Sequence, residues 1–168
     1  MKKTLIIRIV SFALLLGVMV AIFMFSAESA SQSSKTSGKI IAAIAKLFKP
    51  DFEKLDALQQ EELVGGLQSV TRTLAHLLIF AALGFFAINS LITFKVSFKL
   101  RFLISIIFSV LYALSDEIHQ HFVPGRAFQL SDLAVDTSGA ILGTIVWFVL
   151  FLLIKAIINK RKPKTKKA

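Results

Sequence analysis

The sequence predicts an all-α integral membrane protein, a four-helix bundle with an amphipathic helical loop on its outer face. Three observations carry that reading: long apolar runs, charges confined to the stretches between them, and a one-sided distribution of acids. Hydrophobic residues make up 55% of the chain and charged residues 18%. Soluble domains carry roughly 45–50% and about 25%. The 168 residues suit a single domain. With no cysteine in the chain, disulfide frameworks, thiol nucleophiles and thiolate metal sites are excluded.

Crossing a bilayer takes about 20 apolar residues at a rise of about 1.5 Å each. Four segments qualify, at about 6–25, 73–94, 100–115 and 133–154. The first is interrupted only by Arg8, and the second carries His76 near its start. The third is short and ends against Asp116 and Glu117, so its helix is expected to continue beyond the hydrocarbon. The fourth has Asp136 one turn inside. Lys2 and Lys3 before the first run, with Ala27-Glu28-Ser29 after it, also fit a cleaved signal peptide. The length of the run favours a retained span. The chain thus divides into a transmembrane domain, 1–158, and a basic tail, 159–168.

Orientation follows from charge. Residues 1–8, 95–101 and 155–168 hold thirteen Lys and Arg and no acid, whereas 26–72 and 116–136 hold seven basic residues and all ten acids. The positive-inside rule puts both termini in the cytoplasm. The tail around Lys160-Arg161-Lys162 therefore reads as a topology determinant touching anionic lipid, and nucleic acid is not an expected partner. The outer loop opens with a flexible Ser/Ala-rich stretch, 26–37. A helix then places Ile40, Ile41, Ile44, Leu47 and Phe48 on one face and Lys39, Lys46 and Lys49 mostly on the other, a pattern suited to the membrane interface. Pro50 stops it. Asp51 is expected to cap a second short helix, through about Leu63, that Gly65 and Gly66 end.

The chemistry lies at the outer ends of the last three spans. Arg72 and His76 are four apart, hence on one helix face. In Ser115-Asp116-Glu117-Ile118-His119-Gln120-His121, Asp116 shares a face with Gln120, and Glu117 with His121. Asp132 and Asp136 are four apart, and Gly139 and Gly143 continue nearly the same stripe. Pro124-Gly125 has the order of a type II turn, placing Arg126 among the carboxylates. The expected cluster is Arg72, His76, Asp116, Glu117, His119, Gln120, Arg126, Asp132 and Asp136. Ionisable groups in a span are costly and face a partner or a wet cavity. Three roles are open to it: locking the helix ends together, recognising an anionic headgroup or envelope ligand, or acid–base or metal-assisted chemistry. His119-x-His121 is not a diagnostic metal spacing, so neither metal nor cofactor is assigned, and no motif names a catalytic class.

The stretch DEIHQHFVPGRAFQLSDLAVDTSGAILG resembles the signature of the VanZ-like family. Asp116, Glu117, His119, Gln120, Pro124, Gly125, Arg126, Asp132, Asp136, Gly139 and Gly143 match it, as do FMFSAES and TRTLAH upstream, with Ser26, Arg72 and His76. Glu28 stands where the pattern more often has Gln, and His121 matches no fixed position. The resemblance implies a multi-pass protein of the bacterial cell membrane with a cell-envelope role, its namesake being linked to teicoplanin resistance. A non-enzymatic protein influencing antibiotic or envelope-ligand access is the reading preferred here. A membrane-embedded enzyme acting on a lipid-linked substrate is the alternative.

Overall fold

The computed structural model describes residues 2–161. The proposed tail beyond Arg161 lies outside them. The described secondary structure is helical throughout: α1 (Lys2–Ser26), α2 (Ala30–Phe48), a 3-10 turn (Phe52–Lys54), α3 (Ala57–Ser90), α4 (Phe98–His121) and α5 (Leu130–Arg161). Four of them, α1, α3, α4 and α5, are long and apolar enough to cross a membrane. They run alternately up and down, and large apolar side chains such as Leu16, Met24, Leu111 and Leu153 face outward. In water that surface would be a liability; against lipid tails it is the expected exterior.

The loop between the first two spans is more ordered than its composition suggests. The Ser/Ala-rich stretch is not a flexible exit, because Ser29 caps α2 by accepting the Gln32 N–H at 3.3 Å. Ala30 N–H also donates to the Pro124 carbonyl at 3.2 Å, tying the start of α2 to the far loop. α2 ends where expected: Lys49, before Pro50, is extended, as a residue preceding proline prefers. Asp51 forms no helix cap; it pairs with Lys54 at 2.8 Å across the 3-10 turn. The cap that matters is Asp56, which forms a capping box with Gln59.

From that box α3 runs unbroken for 34 residues, through Gly65 and Gly66, so the expected stop is absent. Gly125 is the one described residue with positive φ, so neither of these glycines adopts the left-handed conformation of a helix C-cap. Each costs about 1 kcal/mol of helix propensity. Packing against α2 offsets part of that, with Gln68 Nε2 donating to the Ser34 carbonyl at 2.8 Å. α3 also ends earlier than the apolar run, at Ser90. Residues 91–94 form a turn held by Arg101, which donates to the Phe94 carbonyl at 2.8 Å, and by Arg8, which lies over the Phe94 ring and donates to Thr93.

α3 and α5 form the central pair, with α1 and α4 packed beside them. Three glycines set their spacing. A Cβ added at Gly139, Gly143 or Gly84 would collide with the backbone of Leu77, Ala81 or Ala140 across the interface. Small residues at such positions let helix backbones meet, the usual way spans associate in lipid. Polar side chains add links through the interior. Trp147 Nε1–H donates to Asn89 at 3.0 Å, Asn89 donates to Ser11 at 3.1 Å, and Tyr112 donates to the Met19 carbonyl at 2.7 Å.

Candidate functional site

The end of the bundle formed by the C-termini of α1 and α4, and by the start of α5, holds the polar groups. Helix α4 continues past its apolar part to His121, as expected. The sequence-predicted residues come together here in three groups, not one.

The first lies between α3 and α5. His76 Nδ1 is 3.2 Å from Asp136 Oδ1; the Asp136 side chain is 0% exposed and that of His76 25%. Beside this pair opens a cavity of about 370 Å³, walled by Gln68, Arg72 and His76 of α3, by Gln129, and by Asp132 of α5. Asp136 sits one turn, about 6 Å, further along α5 than the half-buried Asp132. Its second oxygen, Oδ2, has no partner among the described residues.

The second group joins α1 to α4. Asp116 Oδ2 accepts from Ser26 Oγ at 2.8 Å and from Gln120 Nε2 at 2.9 Å, and Gln120 also donates to Ser26 at 3.2 Å. All three are buried. Three mutual bonds of this kind fix the ends of two helices against each other.

The third is the α4–α5 connection. Gly125, at φ 76, occupies the third position of the Val123–Arg126 turn, and Arg126 N–H donates to the Val123 carbonyl at 3.1 Å, as expected for type II. The turn does not seat Arg126 on a carboxylate, however. Arg126 Nη2 donates to the Phe25 carbonyl at the end of α1, at 3.3 Å, and its Nε and Nη1 are buried without a partner among the described residues. Its position in the loop, half-buried and near Arg72, pushes its pKa down, burial contributing most. Buried Glu117 accepts the Gln129 N–H at the foot of α5, and its Oε2 has no partner among the described residues.

His119 points elsewhere, stacking on Phe23 of α1 at 4.8 Å between ring centroids. His121 is exposed against the edge of Phe122. The two histidines do not converge, and among the described residues no group of three His, Asp or Glu side chains could hold a metal ion. Ion pairs among the described residues are Lys46–Glu53, Lys54–Asp51 and His76–Asp136, so neither Arg72 nor Arg126 has a carboxylate within 4.0 Å. Gln68 and Gln129 were not foreseen. Gln68 precedes Arg72 by four, as Arg72 precedes His76, but that row is visible only once α3 is known to pass through the glycines.

Fold and site together define a helical membrane protein with an ionisable basin at one end of its bundle. The chain belongs to the VanZ/LLP1 family, whose model matches residues 11–153. No curated protein and no solved structure gave a match.

Proposed function

We propose that this protein acts at the outer face of a bacterial cell membrane, where the cavity between α3 and α5 binds an anionic group of an envelope ligand or lipid headgroup. On this reading it lowers susceptibility to glycopeptide antibiotics such as teicoplanin without catalysing a reaction. The observation that carries it is Arg72, a guanidinium on the wall of a 370 Å³ cavity with no carboxylate of the described residues within 4.0 Å. A cation presented to open space is a recognition element, since guanidinium binds carboxylate or phosphate through paired hydrogen bonds. The volume falls in the range of small-ligand sites, about 300–1,000 Å³. The outward assignment rests on the acid-free, lysine- and arginine-rich segments at the opposite end.

The unpartnered Oδ2 of Asp136 beside His76 favours a second reading, acid–base chemistry on a lipid-linked substrate. Teicoplanin susceptibility of a host expressing each variant at matched membrane abundance separates the two. Binding predicts that Arg72→Gln abolishes most of the effect while Asp136→Asn retains part of it. Complete loss in Asp136→Asn, with Arg72→Lys mild, selects the enzyme.

A further inference from the structure

A second cavity, of about 170 Å³, lies on the other side of Arg72 and His76, enclosed by α1, α2 and α3. Ile22, Phe25, Ile40, Ile79 and Phe80 supply its apolar surface, and Glu28, Arg126 and several hydroxyl side chains also line it. Arg72 and His76 line both chambers. A polar basin and an apolar slot thus share a cationic wall.

Resting on the anion-binding reading above, we propose that the ligand is an anionic amphiphile, a phosphate bearing a hydrocarbon chain. The phosphate sits at Arg72 on the polar side and the first part of its chain occupies the slot beneath α2. Arg72 lines both chambers and Arg126 lines the slot, so two guanidiniums stand around the place proposed for the phosphate. An inorganic anion would leave the slot unfilled, whereas an alkyl chain gains about 0.8 kcal/mol per methylene removed from water. The slot also borders an exposed apolar face of α2. Ile40, half of whose surface is exposed, lines it, and Ile44, one helical turn away on α2, is equally exposed. Chains can therefore enter from the bilayer while the headgroup stays in the basin. At about the volume of one water per carbon, roughly 30 Å³, the slot takes on the order of six carbons.

The test uses the full chain in phosphatidylcholine nanodiscs, titrated calorimetrically with inorganic phosphate and with ethyl, butyl, hexyl and octyl phosphate, empty discs being subtracted. The wild type should bind about fourfold more tightly per added methylene, levelling off near hexyl. Ile79→Trp, which fills the slot, should flatten that dependence and leave inorganic phosphate within twofold. Ile79→Ala should move the plateau to longer chains, a gain of function that a misfolded protein could not show. Arg72→Gln should weaken every probe at least tenfold. Chain-length dependence absent in the wild type, or untouched by both Ile79 variants, overturns the amphiphile while leaving an anion site that takes free phosphate. Binding of every probe indifferent to Arg72→Gln, or no binding at all, overturns the anion reading itself.

Discussion

Replacing Gly143 by alanine adds one methyl group where α3 and α5 touch, and its cost can be worked from the geometry. The new Cβ would land on the Ala81 carbonyl, a backbone group that cannot rotate aside. The helices must separate instead, and forcing volume into a packed interface costs about 1–3 kcal/mol. A backbone obstacle puts Gly143 near the upper end. Helix propensity returns close to 1 kcal/mol for Gly→Ala, leaving a net loss of about 2 kcal/mol, near thirtyfold in the folding equilibrium. Separation also stretches the His76–Asp136 contact, already 3.2 Å. The control is Gly66→Ala, since nothing lies within 4 Å of a Cβ there and only the propensity gain remains. Reversible unfolding in mixed micelles, titrated with SDS, reads both. Gly143→Ala should unfold at clearly lower SDS than the parent, and Gly66→Ala at the same or higher. If the two variants unfold together, the backbone contact does not set the helix spacing and the reasoning fails.

Three further outcomes are expected. Single cysteines at Ala57 and Ala127 should react with an impermeant thiol reagent added to intact cells, whereas cysteine at Lys99 should react only after permeabilisation; the reverse pattern would invert the proposed orientation. Gly125→Ala forces an L-residue to φ 76 and brings its Cβ to 3.0 Å from the Ala30 Cβ, costing about 1–2 kcal/mol. Faster hydrogen exchange at the Ala30 amide, whose partner is the Pro124 carbonyl, should report the loosened turn. A spin label at Ile44 should be shielded from aqueous quenchers and one at Lys46 should not, with equal accessibility counting against α2 lying in the interface.

What the sequence made legible was set by periodicity and charge. The spans emerge because twenty apolar residues in a row have few other uses, and the polar end emerges because ionisable groups fell at matching depths on three helices. Pairings were harder. Asp116 with Gln120 could be read from a spacing of four within one helix, but Ser26 with Asp116 spans 90 residues of sequence. Gly65-Gly66 does not stop α3 because a local cap signal is outweighed by the contacts α3 makes on α2, where tertiary packing overrides propensity. The Pro124-Gly125 turn forms as its sequence predicts, but the end of α1 offers its Phe25 carbonyl where that turn delivers the Arg126 guanidinium, which a reading of the turn and the nearby carboxylates does not reveal. The apolar face of α2 also divides. Ile41 is buried, while Ile40, Ile44, Leu47 and Phe48 remain exposed.

The pairing of His76 with Asp136 has a bearing on how the protein is made. Sixty residues of sequence separate the two, and ribosomes add about 5–20 residues per second, so the histidine waits on the order of 3–12 seconds for its partner to be synthesised. During that interval the His76 imidazole lacks the carboxylate it bonds in the finished fold, and the three glycine contacts between α3 and α5 are also unmade. Arrival of the last helix supplies both at once. A nascent chain halted before α5 emerges would therefore display an incomplete intermediate, with the glycine-spaced face of α3 uncovered and His76 unpaired with Asp136.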